Sequence, residues 1–150
     1  VFMFWVLFIP ALTAADSVTT KTYKELTQAQ EQMGEDNIAG AITTLTALLD
    51  SVKDESLDKA LTLQMLGYAS MADERFGDAI IHLKQSLALN KLPEQVKFNV
   101  GYMVAQLHAA QGEFEQALTF AAEWFETLES PSPSQMMFMA NIYAQTKQYI

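Results

Sequence analysis

The motif ERFGDAI at residues 74–80 decides the fold, because similar motifs recur along the chain. DNIAGAI stands at residues 36–42 and GEFEQAL at residues 112–118, and a fourth copy begins with KQYI at residues 147–150. Each complete copy has a large apolar residue, a small alanine three residues later and then an aliphatic residue. The alanines of the complete copies are equally spaced, at Ala41, Ala79 and Ala117. A repeat period of roughly 20–50 residues is typical of solenoids, so the protein is expected to work by offering a surface.

Composition supports a folded domain and excludes several classes of function. Of the 150 residues, 50% are hydrophobic and 18% are charged, which is typical of a globular protein. The 9 basic and 18 acidic residues give a net charge of −9, and Arg75 is the sole arginine. Nucleic-acid binding needs clustered Lys and Arg, so no nucleic-acid partner is expected. The sequence has no cysteine, which excludes disulfides, thiol catalysis and Cys-ligated zinc.

The N-terminus has the layout of a secretory signal peptide. Residues 1–10 read VFMFWVLFIP, and small residues follow in ALTAA at residues 11–15 before Asp16. We expect cleavage after Ala15, or alternatively after Ala14, and the positive n-region is missing. The apolar run is shorter than the roughly 20 residues of a spanning helix. An uncleaved inner-membrane anchor whose start is missing, and an ordinary buried helix, are the alternatives. The predicted organisation is a signal peptide at 1–15 and one repeat domain at 16–150, truncated within its last repeat.

Apolar residues at three- and four-residue steps predict seven helices after Asp16. They cover about 23–33, 38–49, 57–69, 76–89, 93–111, 113–128 and 134–145. No segment alternates with period two, so strands are not expected. Pro93 and Ser132-Pro133 are typical of helix starts. Gly34 and Gly112 fall at joints, where a left-handed residue ends a helix. The short connections predict antiparallel neighbours, hence an all-α solenoid of helix pairs with about three and a half repeats.

These residues resemble the tetratricopeptide repeat (TPR), a pair of antiparallel helices of about 34 residues. The best unit carries its large and small residues in the family's order: Leu63, Leu66, Gly67, Ser70, Phe76, Ala79, Leu83 and Ser86. The next unit supplies Val104, Ala105, His108, Gly112, Phe114 and Ala117. It departs from the pattern at Trp124, where a small residue is usual, which puts the local packing in doubt. The resemblance implies the fold and says little about function, because such repeats serve many partners.

A second resemblance is to exported repeat proteins of Gram-negative bacteria that accompany TonB systems. It rests on the signal peptide and on the order of KTYKELTQAQEQ (21–32), LTLQMLGY (61–68), FGDAIIHLKQSLALNKLP (76–93), FEQAL (114–118) and the stretch from WFETL to KQY (124–149). That family is thought to assist TonB–ExbB–ExbD, which transmits inner-membrane energy to outer-membrane receptors. The resemblance implies components of this complex as partners and a periplasmic location.

The TPR resemblance also implies a partner-binding groove along the first helix of each pair. The residues predicted by register to form the binding site are Gln64, Tyr68, Met71, Asn99, Tyr102, Gln106 and Asn141. The same register places further residues in the groove: Tyr23, Leu26, Gln30, Leu61, Ala109, Met137 and Gln145. None is charged, so a clamp for partner carboxylates is missing. Tyr, Gln, Asn and Met suit hydrogen bonds to a peptide backbone and apolar anchoring. The alternative is that several of them are buried between helices or make no contact with a partner.

The other groups of residues that could form a functional site are better explained as core or as solvated surface. Met136, Met137 and Met139 have the spacing of core residues, and Trp124-Phe125 and Phe120-Ala121 are expected to pack against the following pair. His82 is expected to be solvated and His108 to be packed, and two scattered histidines do not make a zinc site. The acidic groups around residues 54–58 and 113–123 are expected to form a solvated face. No phosphate loop, nucleophile elbow or HExxH occurs, so no catalytic residue, metal or cofactor is predicted.

The sequence therefore predicts a non-enzymatic periplasmic scaffold that binds a protein, as an accessory of the TonB system. A repeat adaptor for cell-envelope assembly is an alternative within the same class. An alternative from another class is the docking arm of an enzyme whose catalytic domain lies beyond residue 150.

Overall fold

The structure is a computed structural model that describes residues 17–148. Within this range the chain forms seven α-helices and no strand, which confirms the predicted all-α fold: α1 (Thr20–Gly34), α2 (Ile38–Leu49), α3 (Leu57–Ala72), α4 (Phe76–Ala88), α5 (Glu94–Ala110), α6 (Phe114–Glu126) and α7 (Pro133–Gln148). The signal peptide predicted at 1–15 lies outside the described residues, and so do Tyr149 and Ile150 of the fourth motif. None of the helices described here has both the length and the apolar character needed to cross a membrane.

Each helix packs on the next one along the chain, and α1 also touches α3. Turns of a few residues join α1 to α2, α3 to α4 and α5 to α6, so each pair is antiparallel. The alanine of each complete motif lies on the second helix of its pair and is 0% exposed: Ala41, Ala79 and Ala117. A Cβ added at Gly67 would lie 2.5 Å from Leu83 Cδ2, so the helices of the second pair meet where a side chain would not fit. The predicted small residue Gly67 is thus at a point of close helix approach, and the three alanines are fully buried.

The three turns within pairs share one backbone geometry. The φ angle is 62° at Asp36, 57° at Glu74 and 77° at Gly112. These three residues recur at the same spacing as the alanines of the motif. In each turn the following N–H donates to the carbonyl five residues back, with N–O distances of 2.8, 2.8 and 3.0 Å for Asn37, Arg75 and Glu113. This six-to-one bond marks the Schellman ending of a helix. Gly112 is left-handed as predicted, whereas at the first turn the left-handed residue is Asp36 and not Gly34, because Gly34 is still inside α1.

The left-handed positions give a paired prediction about stability. Gly112→Ala should lower the free energy of unfolding by about 1 kcal/mol, because a Cβ is strained in this backbone region. Glu74→Gly should raise it by roughly 0.5–1 kcal/mol for the same reason. Chemical denaturation of both variants beside the parent chain checks the pair. The same sign of change in both variants would contradict the turn geometry.

The first turn of α1 is attached to α3 through Asp58, which corrects the prediction of a solvated acidic face there. Asp58 is 8% exposed. Its carboxylate accepts from the Thr19 hydroxyl at 2.6 Å, from the Thr22 hydroxyl at 2.7 Å and from the Thr19 N–H at 3.3 Å. Thr19 also caps α1, because its hydroxyl accepts from the Thr22 N–H. The neighbouring Asp54 is exposed as expected and pairs with Lys59.

Loss of the Asp58 carboxylate should therefore loosen the N-terminal helix. Asp58→Ala should lower the free energy of unfolding by about 2–3 kcal/mol, because hydrogen bonds to a charged group are strong and their buried donors would lose their acceptor. Amide hydrogen exchange should show the largest loss of protection in α1. The control is Asp54→Ala, which should leave both readouts nearly unchanged. Equal effects of the two substitutions would contradict the role of Asp58.

Two further expectations are wrong at the level of single residues. His82 is half-buried on α4, not solvated, and burial lowers the pKa of His82 while the nearby Asp78 charge opposes that shift. Of the three methionines expected in the core, Met139 is buried but Met136 and Met137 are exposed. Met139 is the methionine of α7 that packs against the neighbouring helices, with Ala121 of α6 and Ala105 of α5. The predicted start of α7 is confirmed, since the Ser132 hydroxyl accepts from the Gln135 N–H.

Candidate partner-binding groove

The candidate groove follows two register positions that recur on the first helix of each pair. At the spacing of the repeat, which is slightly shorter in its last interval, these positions hold Leu26 and Gln30 on α1, Gln64 and Tyr68 on α3, Tyr102 and Gln106 on α5, and Met137 and Asn141 on α7. Residues four apart lie on one side of a helix, so the two positions form a continuous row. An amide side chain occurs once in each pair of positions, and none of the eight residues is charged.

Burial divides this row into a closed half and an open half. At the first position, exposure is 2% for Leu26 and 4% for Gln64 but 63% for Met137, with Tyr102 in between. At the second position, Gln30 and Tyr68 are half-buried, whereas Gln106 and Asn141 are exposed. Of the other predicted site residues, Met71 is half-buried against the core and Asn99 is exposed. Among residues 17–148, the accessible part of the candidate groove is its α5–α7 half, around Asn99, Tyr102, Gln106 and Asn141.

Gln64 and Tyr68 form the floor of the closed half. The Gln64 amide donates to the Tyr68 hydroxyl at 3.1 Å, and the Tyr68 ring packs against the core on both sides of α3. Burial raises the pKa of Tyr68, and the bond from Gln64 only partly offsets that effect. The hydroxyl therefore stays neutral and keeps its proton to donate. Gln64 itself is too enclosed to meet a partner directly, so its effect on the groove would pass through Tyr68.

An aromatic cluster supports the open half, and the sequence register did not identify two of its members. The Tyr102 ring lies 5.5 Å from the Trp124 ring of α6 and 4.9 Å from the Phe138 ring of α7, measured between centroids. The contact with Phe138 is edge-on, at 67° between planes, which is a favoured geometry. Phe138 and Asn141 are three residues apart on α7, so they lie on one side of that helix.

Trp124 resolves the doubt about packing in the third unit. It is 7% exposed, and its indole N–H donates to the Phe98 carbonyl on α5 at 3.1 Å. A Cβ added at Gly101 would overlap Trp124 Cδ1, so the indole occupies space that Gly101 leaves open. Trp124 thus packs within its own pair and not mainly against the following one. The expectation for its neighbours is confirmed, since Ala121 and Phe125 pack with Met139 of α7.

Three ion pairs next to α3 and α5 lie near the ends of these helices. The Glu113 carboxylate pairs with His108 Nδ1 at 2.7 Å beside the α5–α6 turn. His108 is buried there, as predicted. Arg75 pairs with Asp78 at the α3–α4 turn, and Lys97 lies 3.5 Å from Glu94 at the start of α5. The middle of the row is left with amide, aromatic and thioether groups, which bind by hydrogen bonds and apolar contact.

Comparison with solved structures supports the architecture. Two crystal structures of a kinesin light chain-like protein of Podospora anserina, with nearly identical TPR-like repeats, superpose with TM-scores of 0.64 and 0.62. Their sequence identities are 17% and 16%, and each match covers 85% of this chain and 68% of the other. At this identity the likeness shows the fold alone, which is a TPR-like solenoid. No protein-family model matches the sequence. A search of curated proteins gave no match either.

The packing of Trp124 into the Gly101 gap gives a stability prediction. Gly101→Ala should lower the free energy of unfolding by about 1–3 kcal/mol, because the added methyl overlaps the indole. Gly77→Ala is the matched control: Gly77 is also helical, but a Cβ there meets nothing within 4 Å. That substitution should be neutral or slightly stabilising. Thermal unfolding followed by circular dichroism measures both, and a Gly101→Ala variant as stable as the parent would contradict the tight packing.

Proposed function

We propose that the protein is a non-catalytic scaffold that binds a segment of another protein in the α5–α7 half of its groove. The observation that carries this proposal is the open row of uncharged side chains on a solenoid of TPR-like form. The exposed groups there are Asn99, Gln106, Met137 and Asn141, with the half-buried Tyr102 between them. Amides bond both N–H and C=O groups of a peptide backbone, and Met137 and Tyr102 offer apolar contact.

The partner in this proposal is a component of the TonB–ExbB–ExbD complex, and the location is the periplasm. Its support is the resemblance of five segments between residues 21 and 149 to exported repeat proteins that accompany TonB systems. The apolar run at residues 1–10, followed by small residues and Asp16, supports export. An uncharged groove also fits a partner segment that presents backbone and apolar groups instead of a terminal carboxylate, since it holds no fixed positive charge.

A capture experiment tests both the partner and the groove. The tagged chain is expressed in a Gram-negative host that carries the TonB system, crosslinked in the cell and purified, and TonB, ExbB and ExbD are quantified against a control exported protein. Enrichment of at least one component is expected. The absence of enrichment over the control protein would overturn the TonB assignment.

Two isosteric substitutions then locate the binding surface. Gln106→Glu adds a charge to the open groove, and Gln116→Glu adds the same charge to an exposed position on α6. Binding would desolvate the carboxylate in the groove, so Gln106→Glu should reduce capture roughly tenfold or more, whereas Gln116→Glu should leave it unchanged. Equal capture by the two variants would place the binding surface outside the groove.

A further inference from the structure

At two equivalent positions, the second and third helix pairs carry a large and a small residue in opposite order. The second pair has Leu63 on α3 and Ser86 on α4; one repeat later, the third pair has Gly101 on α5 and Trp124 on α6. The hydrogen bond between the helices survives the exchange. The Ser86 hydroxyl donates to the Ala60 carbonyl at 2.6 Å, and the Trp124 indole donates to the carbonyl of Phe98, the residue equivalent to Ala60 in the next repeat. The third pair therefore keeps the contact that joins its helices while it brings a large ring up to α5.

This ring reaches the groove side of α5. Tyr102 follows Gly101 directly, and its ring contacts Trp124 at 5.5 Å and Phe138 at 4.9 Å. Side chains from two other helices therefore fix the orientation of a residue in the open half of the groove. Tyr68 differs, because its hydroxyl already accepts from Gln64. Within residues 17–148 the hydroxyl of Tyr102 bonds to no protein group, so its ring is held while its polar end is available.

We infer that Trp124 is a positioning residue of the groove, which holds Tyr102 so that its hydroxyl can bond an uncharged polar group of a bound peptide. The inference rests on the proposed function, since it assumes that the α5–α7 half binds a partner. The reason for an effect on affinity is preorganisation: a side chain that is already immobile loses little conformational entropy when it binds. The peptide group that fits a neutral hydroxyl on the same side of α5 as the Gln106 amide is a backbone carbonyl or a side-chain amide.

The central variant transplants the residue pair of the second unit into the third. Gly101→Leu combined with Trp124→Ser recreates the Leu63 and Ser86 pair in an equivalent place. It should fold, because the same fold holds that pair one repeat earlier, and it removes the indole from Tyr102. Trp124→Phe is the second variant, in case the transplant does not fold: it keeps a ring in the gap but has no N–H for the Phe98 carbonyl. Circular dichroism establishes which variants are folded.

The first readout needs no partner. The chain is labelled with 3-fluorotyrosine, and the Tyr102 resonance is assigned as the one lost in Tyr102→Phe. In the parent chain this ¹⁹F resonance should be displaced from its unfolded position by the rings of Trp124 and Phe138. The displacement should shrink in Trp124→Phe and shrink further in the transplant, while the Tyr68 resonance stays in place. An unchanged Tyr102 resonance in a folded transplant would overturn the inference, whatever the partner is.

The second readout is affinity, measured with the periplasmic portion of TonB as the probe. The transplant and Tyr102→Phe should each weaken binding by about threefold to tenfold, and Tyr102→Phe added to the transplant should cause little further loss. If the parent chain binds the probe and a folded transplant binds it equally well, the positioning role is wrong and the proposed function stands. If the parent chain does not bind the probe, the TonB assignment fails, and the fluorine spectra decide the positioning of Tyr102 by themselves.

Discussion

The whole structure depends on the close approach of the two helices in each pair. That approach is possible only where one helix presents almost no side chain, and the chain meets this condition with Ala41, Ala79 and Ala117, all fully buried. Gly67 meets it from the other helix, against Leu83. Since protein interiors are packed without spare volume, a larger residue at these points would separate the helices. The spacing of the pairs, and with it the row of groove positions on α1, α3, α5 and α7, follows from this constraint.

The third pair shows that the constraint acts on the pair of helices as a whole and not on one position. Trp124 is far too large for the position that Ser86 fills in the preceding pair, yet the helices stay joined because Gly101 leaves room for the indole. The indole also affects the groove side of α5. A residue of the second helix, which otherwise only packs the solenoid, now contacts Tyr102 among the groove residues. Packing and the candidate binding surface are therefore coupled in this pair.

The repeat pattern is sufficient to predict the helices, because helix periodicity and turns depend on residues within about one repeat of each other. Boundaries agree within a few residues for all seven helices of the described range, and the helix start at Ser132 and the left-handed Gly112 are predicted correctly. Apart from the left-handed residue of the first turn, which is Asp36 and not Gly34, the errors involve contacts between distant residues. Asp58 receives donors that lie 36 and 39 residues away in sequence, so no local pattern distinguishes it from the solvated Asp54.

The candidate site is predictable only in part, for the same reason. Register places residues on the groove side of a helix, but whether a side chain remains accessible depends on the neighbouring helix. Gln64 is enclosed whereas Tyr102, the equivalent residue on α5, is half-buried, and the sequence spacing treats the two alike. The sequence does indicate how Trp124 packs. Trp124 stands where the preceding repeat has the small Ser86, and Gly101 on α5 stands where that repeat has the large Leu63. Finding it requires two repeats to be compared position by position.

The central claim is that a protein partner binds in the α5–α7 half of the groove. A photo-crosslinking amino acid placed at Asn99 and, in a second chain, at Thr119 on α6 tests it directly in living cells, since both positions are exposed. The account predicts a discrete crosslinked protein from position 99 and none from position 119. Crosslinks of equal yield from both positions, or from position 119 alone, would contradict it.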